Sequence, residues 1–553
     1  MTEAQVNAPD AFATPLMRDD PVTFEIVRNG LYAICEEMKT VLLRTSFSPL
    51  LSLSADLSCA LLDPSGEVAA QGNDIPVHLG AMPFTGRAVL AAFPAETWRP
   101  GDGVLVNDPY LGGTHLPDMS LLMPAFVDGV LTGFSATRVH WPDVGGVAAG
   151  SSSIADEILK EGLRVPPLKI IEEGAIREDV MGLILANVRV PNDRLGDFRA
   201  QQAANLRGVR RLEDLGRRYG RSVVEAVLRE SQAYSRLKVE ASLAAMADFD
   251  VQASENLDGD GFDESEGREM RIAVRIRKTG SRFDVDFTGT SPAARGPVNA
   301  PLPVTASSVY YTLLGLAGGD IPPNSGAYGI ATITAPKGCL VHAAYPHPVV
   351  AANTETSNRI VDILLAALGE VHPEAVPAGG YGSACVYTLG SRAAGRAFVH
   401  YETIGGGMGA TAGRDGIGGM RVHMGNTMNL PIEAMETQLP LRFHAYELIA
   451  GSGGAGRWRG GEGVRKEIEV LCDEVEASIL GERTLTPAAG VAGGKAGECA
   501  RFTLRSAAGA EHVLSSKSGP HRLSRGDRLE LRTAGGGGWG APSDTIINKE
   551  VSS

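Results

Sequence analysis

Two histidines and an aspartate, residue types that bind metals, stand close together in the first third of the chain. His115 and Asp118 lie three positions apart in the loop NDPYLGGTHLPDMS (residues 107–120), and His140 ends the strand-like segment VLTGFSATRVH. Two imidazoles and one carboxylate resemble the ligand shells that proteins use for Zn²⁺, Mn²⁺ or Fe²⁺, with open positions left for water. These residues therefore predict a divalent metal site.

The segments around the loop predict how the three side chains meet. Asp128-Gly129 stands between two strand-like segments, and this dipeptide is typical of a two-residue hairpin turn. Such a turn pairs His140 with Pro117, between the other two candidate ligands. Pro124 interrupts the first strand, and a bulge there would shift the pairing by one residue. In either register the hairpin brings both imidazoles and the carboxylate together.

Each candidate ligand also has a purely structural explanation. His115 could cap a turn, Asp118 could accept hydrogen bonds from the loop, and His140 could be a buried core histidine. Asp143, in HWPDVGG, is a further candidate, and His78, in IPVHLGAM, could line a pocket or be buried. The convergence of three candidates in one hairpin favours the metal site.

Composition limits the class of partner. The chain has 553 residues with 51 basic and 65 acidic side chains, a net charge of -14. Nucleic acids and anionic membranes attract basic surfaces, so neither is expected as a partner. A small molecule or another protein is favoured. The chain is long enough for two or three domains.

The cysteines and the hydropathy pattern indicate a reduced, cytoplasmic protein. Six cysteines are scattered singly, without a CxxC pair, so neither a disulfide framework nor a thiolate zinc site is indicated. No apolar run approaches the roughly 18 residues that a spanning helix needs. The polar N-terminus resembles a flexible tail and does not resemble a targeting peptide.

The sequence pattern predicts an α+β fold. Residues 1–20 are expected to form a flexible tail. A mixed helix and antiparallel-sheet lobe that carries the metal follows over 21–262, with one helix from Asp20-Pro21 to before Pro49 and continuous helix over 192–248. The acidic segment NLDGDGFDESEG marks a boundary. A Gly-rich, sheet-rich C-terminal lobe is expected over 263–545, with one inserted helix near 354–372.

Polar residues at the start of the inserted helix have two interpretations. Asn353, Thr354, Glu355 and Thr356 precede its apolar positions, so capping of the helix is the first interpretation. Contact with an anion or a partner at the helix N-terminus is the second. The glycine runs, such as GGGMGATAGRDGIGG, lack the strand-loop-helix context of a nucleotide loop and are attributed to tight turns and close backbone packing.

Several motifs, in order along the chain, make it resemble the hydantoinase B/oxoprolinase family. The family includes N-methylhydantoinase B, the caprolactamase beta subunit, the C-terminal half of 5-oxoprolinase, and subunits of acetone and acetophenone carboxylases. The motifs are DPVTFEIVRNGLYAICEEM, LSCALLD, IPVHLGAMP, NDPYLGGTHLPD, RVHWPDVGG, FTGTSPAARGPVNAP, NTETSNRIVD, ETIGGGMGA, AGSGGAGRWRGGEG and GGGGWGAP.

The resemblance implies a ligand set for one divalent metal, Zn or Mn. His115, Asp118 and His140 match the family's two histidines and intervening aspartate, and they would be catalytic through the metal. Asp56, at the head of DLSCALLD, matches the upstream acidic ligand, although the residues before it, LLSLSA, differ from those of many relatives. Supporting or substrate-contacting roles are assigned more weakly to three further residues, His78, Thr114 and Asp143.

The resemblance also implies an activity. The expected function is that of the metal-bearing subunit of an ATP-dependent cyclic-amide hydrolase, in which a metal-activated water attacks an amide carbonyl activated by ATP. An unstrained amide is a poor electrophile, which explains the need for activation. The chain has no G-x-x-x-x-G-K-[ST] loop, so ATP and Mg are expected on a hydantoinase A-like partner, in a dimer of heterodimers.

Two alternatives remain open at this stage. A subunit of an ATP-dependent ketone carboxylase would use the same metal to stabilise an enolate-type nucleophile or a phosphorylated intermediate. Carboxylase relatives tend to be longer or to need a third subunit, so the length favours the hydrolase. A scaffold for an ATPase partner, without catalysis, would retain no metal.

Overall fold

The computed structural model describes residues 14–150, 155–262, 269–391 and 397–542. Helices and mostly antiparallel sheets occur together, and the predicted α+β class is confirmed. No helix within these ranges has the length and apolar character needed to cross a membrane.

The helices are longest in the first half of the chain. They are α1 (Pro15–Asp19), α2 (Pro21–Thr45), α3 (Pro49–Ser52), α4 (Pro76–Ala92), α5 (Glu178–Ala186), α6 (Pro191–Tyr219), α7 (Arg221–Ala244), α8 (Leu302–Ala317), α9 (Ser325–Tyr328), α10 (Ser357–Gly369) and α11 (Ile432–Gln438). A π-helical turn, Ala352–Thr356, leads directly into α10.

The strands form four sheets within the described residues. They are β1 (Leu57–Leu62), β2 (Val68–Gln71), β3 (Gly103–Val106), β4 (Asp118–Val127), β5 (Val130–His140), β6 (Leu168–Glu172), β7 (Ala175–Ile176), β8 (Phe249–Asn256), β9 (Arg271–Thr279), β10 (Arg282–Asp286), β11 (Ala331–Thr334), β12 (Val386–Ser391), β13 (Phe398–Thr403), β14 (Leu441–Leu448), β15 (Val464–Val470), β16 (Val475–Leu480), β17 (Arg501–Arg505), β18 (Glu511–Leu514), β19 (Lys517–Leu523) and β20 (Arg528–Arg532). The sheet orders are β2-β1-β5-β4-β3-β6-β7, β11-β10-β9-β8, β13-β12-β16-β19 and β14-β15-β20-β17-β18.

Helix α2 begins and ends where its sequence predicts. The Asp20 side chain accepts a hydrogen bond of 3.1 Å from the Thr23 amide, and Pro21 occupies the first turn, where its missing N–H has no cost. The helix buries Phe24 and apolar residues at spacings of three and four, and each such side chain contributes about 1.5–3 kcal/mol when fully buried. This face anchors α2 against the seven-stranded sheet.

The predicted tail and the predicted long helix both differ in part from the structure. Residues 1–13 lie outside the described residues, but α1 is helical and the Leu16 amide donates to Glu230 at 2.8 Å. Continuous helix over 192–248 is wrong, because Gly220 separates α6 from α7 with a φ of +92°. Glycine adopts this backbone conformation without the steric cost of a Cβ.

The β4–β5 hairpin turns at Asp128-Gly129 as predicted, but its register differs from the simple two-residue pairing. His140 lies opposite Asp118 and not opposite Pro117. The shift arises at Thr132, an extra residue in β5 without a partner on β4. The bulge lies close to Pro124, where the sequence allows one. It brings the predicted imidazole and carboxylate into direct cross-strand contact.

Helices cover both faces of the seven-stranded sheet. Helices α2, α6 and α7 pack on one face, and α4 packs on the other through residues such as Met82 and Val89, which belong to one hydrophobic cluster with Phe134 of β5. Helix α8 packs in turn on α4. A Cβ at Gly80 would lie only 2.7 Å from the Ser307 Cα, so this close approach depends on glycine.

The second part of the chain contains more helix than predicted. The expectation of a single inserted helix near 354–372 is wrong, since α8 spans sixteen residues in addition to α10. Val304 of α8 and Val361 of α10 belong to the same hydrophobic cluster as Phe24 of α2. The core is therefore continuous across the predicted boundary at 262/263.

The glycine runs pack backbone against backbone. A Cβ at Gly407 would lie 2.1 Å from the Gly536 nitrogen, and the Gly537 amide donates to the Gly379 carbonyl at 2.8 Å. Side chains would prevent this contact between segments that are distant in sequence. The structural interpretation of these runs is confirmed for these positions.

Candidate metal centre

Three neighbouring strands place Asp56, His140 and Asp118 in one row. Asp56 immediately precedes β1, and its carbonyl accepts a hydrogen bond of 3.1 Å from the His140 amide. His140, at the end of β5, pairs directly with Asp118 at the start of β4. The three residues thus lie side by side at one end of the seven-stranded sheet.

The loop before β4 adds His115 from the side. The Asn107 side chain fixes this loop, since its amide donates to the Leu116 carbonyl at 2.7 Å and its oxygen accepts from the Val165 amide at 2.7 Å. His115 Nδ1 lies 2.9 Å from Asp118 Oδ2. Asp108 accepts a hydrogen bond from the Tyr110 amide, which is the turn-forming role expected of an aspartate before proline.

The predicted ligand atoms are close enough for one ion. One ligand atom each from His115, Asp118 and His140 can be chosen so that all lie within 4.8 Å of one another. His140 Nδ1 lies 3.8 Å from both Asp118 Oδ1 and Asp56 Oδ2. All four side chains are buried. The structure therefore brings together His115, Asp118 and His140, with the fourth predicted ligand, Asp56, close to His140.

Buried polar atoms show that these residues fit a cation. Within the described part of the chain, His140 Nε2 is buried without a hydrogen-bond partner, and the nearest partner of the buried Asp118 Oδ1 is His78 Nε2, at 3.1 Å. A buried polar atom without a partner costs roughly 1–3 kcal/mol. A divalent ion bound by carboxylate and imidazole would satisfy both atoms.

Electrostatics favour the protonation states that bind metal. Burial alone would raise the pKa of Asp118, but the neighbouring imidazoles of His115 and His78 hold it well below its usual value. Burial, together with His115, holds the pKa of His140 well below its usual value. Asp118 is thus an anion and His140 a neutral imidazole near neutral pH, as metal ligation requires. Burial and the charge of Asp118 raise the pKa of Asp56 to about 7.

Three polar side chains orient the Asp118 carboxylate. Thr114 Oγ1 donates to Oδ2, and Asn353 Nδ2 donates to the same oxygen at 2.6 Å. His78 Nε2, carried by α4, lies 3.1 Å from Oδ1, and Ser58 Oγ lies 3.3 Å from His78 Nδ1. The weaker assignments of Thr114 and His78 thus coincide with contacts to a ligand.

Replacing Asn353 by alanine is expected to reduce divalent-metal affinity by roughly 10–100-fold, as loss of a side chain that orients a ligand typically does. The Asp118 carboxylate would lose the donor that fixes Oδ2. Competition with a chromophoric chelator measures the affinity. The matched control is Asn29→Ala, since Asn29 is exposed on α2 and bonds Glu25 of the same helix. Equal affinities in the Asn353 variant and the wild type would contradict the assignment.

Sequence reasoning missed a fully buried arginine beneath the ligand row. Arg138 lies two residues before His140 on β5 and pairs with Ser120 of β4, whose hydroxyl accepts from its Nε at 2.8 Å. Its Nη1 donates to the His78 carbonyl at 2.9 Å and its Nη2 to Thr85. Burial lowers the pKa of Arg138 to about 10, so it remains a cation and ties α4 to the sheet.

Asp143 does not join the site. Its carboxylate pairs with Arg189, whose Nη1 lies 2.7 Å from Oδ1. The Arg189 guanidinium also donates to the carbonyls of Gly145 and Gly146. Asp143 therefore holds the turn after β5, and its sequence-based assignment to the site is not supported by these contacts.

A cavity beside the ligands is lined mostly by residues from the second half of the chain. Tyr401 packs against the His140 ring with centroids 4.3 Å apart. Sequence reasoning did not identify most of this wall, because no local pattern links it to the hairpin. The lining residues after residue 350 are Asn353, Thr354, Asn358, Tyr381, Ala384, Tyr401, Thr403, Arg421, Val422, Met424, Gly425 and Thr427.

Asn353 lies in a π-helical turn and makes no capping hydrogen bond. Glu161 supports the chain just before this turn, because its Oε1 accepts from the Val349 amide at 2.7 Å and from the Val350 amide at 2.8 Å. Burial raises the pKa of Glu161 to about 8. Protonated Glu161 thus positions the segment that brings Asn353 to Asp118, a candidate metal ligand.

A pH dependence of stability follows from Glu161. A carboxyl whose pKa is raised on folding stabilises the fold below its unfolded pKa, and this contribution is lost as pH rises through the folded value. Stability should therefore fall between about pH 4.5 and about pH 8. Glu161→Gln, which stays neutral, is expected to flatten this slope, as urea denaturation across the range would show. An unchanged slope would contradict the prediction.

Comparison with known proteins now places the chain. A family model described as hydantoinase B/oxoprolinase matches residues 20–542. The chain belongs to the hydantoinase B/oxoprolinase family. The family membership expected from its motifs is thus confirmed.

Relatives in the hydantoinase B/oxoprolinase family differ in length. An uncharacterized protein of Methanocaldococcus jannaschii is 36% identical over 96% of this chain and 92% of its own length. The putative B component of a D-/L-hydantoinase of Pseudomonas sp. is 31% identical over 98% of this chain and 93% of its own length. The 5-oxoprolinase of Dictyostelium discoideum is 30% identical over 96% of this chain, which spans only 41% of that protein.

Solved structures share the fold. The ATP-dependent caprolactamase of Pseudomonas jessenii superimposes with a TM-score of 0.87 at 31% identity, covering 94% of this chain and 91% of that one. A nucleotide-free acetone carboxylase gives a TM-score of 0.84 at 18% identity, covering 96% and 77%. The second similarity shows a common fold.

Proposed function

We propose that this chain is the metal-bearing subunit of an ATP-dependent cyclic-amide hydrolase of the hydantoinase, lactamase or 5-oxoprolinase type. The observation that carries the proposal is the buried cluster of His115, Asp118 and His140, with Asp56 3.8 Å from His140 and the unpaired His140 Nε2 beside a cavity. The relatives named for hydantoinase, 5-oxoprolinase and caprolactamase activity supply the substrate class.

In this proposal the four residues hold one Zn or Mn ion. When bound, such an ion supplies a Lewis acid that polarises a carbonyl and lowers the pKa of water. Thr114 and Asn353 keep the Asp118 carboxylate in one orientation. The apolar side chains of Ile75, Val77, Val422 and Met424 line the cavity.

ATP would be bound by a separate partner chain. The sequence contains no G-x-x-x-x-G-K-[ST] loop, whereas the caprolactamase that shares its fold is an ATP-dependent enzyme. A hydantoinase A-like chain with an ATP and Mg site would activate the amide carbonyl and pass the intermediate to the metal cavity. We propose a dimer of heterodimers for this assembly.

Sequence similarity to named hydrolases supports the hydrolase over a ketone carboxylase. The relatives named for hydantoinase, 5-oxoprolinase and caprolactamase activity are 30–31% identical to this chain, whereas the acetone carboxylase is 18% identical. The similarity to the acetone carboxylase concerns the fold and carries no argument about substrate.

Metal analysis and ADP release together test the proposal. The chain is co-expressed with a hydantoinase A-like partner, and the complex is assayed for metal content and for ADP release with hydantoins, lactams, 5-oxoproline and ketones, with and without bicarbonate. Near-stoichiometric metal with bicarbonate-independent ADP release driven by a cyclic amide is expected. Bicarbonate-dependent turnover of a ketone, or absence of metal, would overturn it.

A further inference from the structure

The wall of the cavity opposite the ligands contains a fixed segment, residues 421–429, here called the strap. The Met428 amide donates to the Ser54 carbonyl at 2.8 Å, and Asn426 Nδ2 donates to the Asp74 carbonyl at 2.9 Å. The Met424 amide donates to Asn358 Oδ1 at 3.2 Å. These contacts tie the strap to the segments before β1 and after β2 and to α10, and Arg421, Val422, Met424 and Thr427 line the cavity.

Arg421, the first residue of the strap, has an unusual environment. It is the one lysine or arginine among the described residues that line the cavity. Its Nε donates to Thr403 Oγ1 at 2.9 Å, its Nη2 to the Thr403 carbonyl, and its Nη1 to Asn429 Oδ1 at 2.7 Å. All three acceptors are neutral groups.

The hydrogen-bond count leaves the guanidinium with capacity for a ligand. Arginine has five N–H donors, and the three bonds of Arg421 leave one N–H on each terminal nitrogen. Paired N–H groups of arginine match the two oxygens of a carboxylate or phosphate in a bidentate arrangement. The bonds to Thr403 and Asn429 meanwhile hold the planar group in one orientation.

The charge of Arg421 acts inside the cavity. Arg421 lines the same cavity as Asp56 and Tyr401. The chain as a whole carries a net charge of -14, which disfavours the approach of an anion. A fixed cation in the wall compensates for that repulsion locally.

We propose that Arg421 is a specificity-determining residue that binds an oxyanionic group, a phosphoryl or carboxylate group, of the molecule entering the metal cavity. The proposal rests on the proposed function, since it names the substrate group that the same cavity recognises. A phosphoryl group would arrive on a carbonyl activated by ATP. A carboxylate would belong to the substrate itself. Both present the paired oxygens that the guanidinium fits.

Binding of small anions to the isolated metal-loaded chain gives the first test. Calorimetric titration with inorganic phosphate and with acetate is expected to show binding of at least one of them to the wild type. Arg421→Gln should weaken that binding by about tenfold or more, because a charge-assisted bidentate contact is lost. Arg421→Lys, which keeps the positive charge but lacks the paired N–H groups of the guanidinium, should give an intermediate affinity. No binding of either anion to the wild type would overturn the proposal.

A matched control separates recognition from folding. Arg199, exposed on α6, is replaced by glutamine to remove the same charge from the surface, and anion affinity should then equal that of the wild type. Metal content and melting temperature are measured for every variant. The proposal would be overturned if the Arg421→Gln variant kept its metal and bound phosphate and acetate with the affinity of the wild type. If that variant does not fold, the comparison of Arg421→Lys with the wild type decides in the same way.

Substrate pairs distinguish the two sources of the oxyanion in the complex with the partner. If the group is a carboxylate, Arg421→Lys raises the KM for 5-oxoproline and leaves that for an uncharged hydantoin unchanged. If it is a phosphoryl group, product formation falls for both substrates while ADP release continues. Equal kinetics of variant and wild type with both substrates would overturn the proposal. Failure of the hydrolase proposal has a separate signature, because it removes metal or cyclic-amide-driven ADP release from the wild type itself.

Discussion

His140→Ala is expected to abolish retention of the divalent metal while the chain stays folded. His140 supplies an imidazole whose Nε2 is buried and, within the described residues, unpaired, and its Nδ1 lies 3.8 Å from two carboxylates. Without it, three ligands remain, and two of them are carboxylates that repel each other. Elemental analysis after gel filtration should show loss of metal, and any cyclic-amide-driven ADP release should fall to background. The companion variant His115→Ala should behave in the same way.

The control for this experiment is His512→Ala. His512 lies exposed on β18, outside the metal cavity, so its loss changes the histidine count without touching the site. Circular dichroism before metal addition tests whether each variant is folded. Full metal occupancy in both His115→Ala and His140→Ala would mean that the ion, if present, lies elsewhere.

Arg138→Met is expected to lower the free energy of unfolding by about 3 kcal/mol or more, because each buried acceptor that loses its donor costs roughly 1–3 kcal/mol. Ser120 Oγ, the His78 carbonyl and Thr85 Oγ1 would lose a donor. The loss of the link between α4 and the sheet should also displace His78 from Asp118. The measurements are the urea midpoint and, below the transition, the metal affinity of the folded variant.

Arg199→Met provides the comparison for Arg138. Both substitutions remove one guanidinium, but Arg199 is exposed on α6, and a surface change of this kind usually stays within about 0.5 kcal/mol. A urea midpoint of Arg138→Met equal to that of Arg199→Met would show that the buried guanidinium contributes little. Lower stability with unchanged metal affinity would limit Arg138 to a structural role.

The local part of the site could be predicted from the sequence because hairpin geometry is local. Asp128-Gly129 sets the turn, and the turn sets which residues of the two strands meet. The predicted strand register was off by one residue. Thr132 bulges out of β5, so that His140 lies opposite Asp118 and not opposite Pro117. Sequence showed that a bulge was possible near Pro124, but strand twist and packing under α4 decide whether one forms.

The distant part of the site could not be predicted, because tertiary packing alone brings it in. Asn353 reaches Asp118 across 235 positions, and a polar residue before an apolar helix is more often a cap. The sequence of β5 around Arg138 contains no pattern that distinguishes a buried guanidinium from an exposed one. The second long helix, α8, was missed for a related reason: its small residues pack closely on Gly80 and lack a clear amphipathic period.

The proposed ion ligands and the opposite wall of the cavity come from separate stretches of the chain. Asp56, His115, Asp118 and His140 all precede residue 141, whereas Tyr401 and the strap follow residue 400. Substitutions in the later stretch can therefore reshape the space around a ring while the ion keeps its ligands. In the proposed hydrolase, one reaction centre could in this way serve rings of different size and charge, and exchanging residues 400–429 between homologues is expected to alter substrate preference.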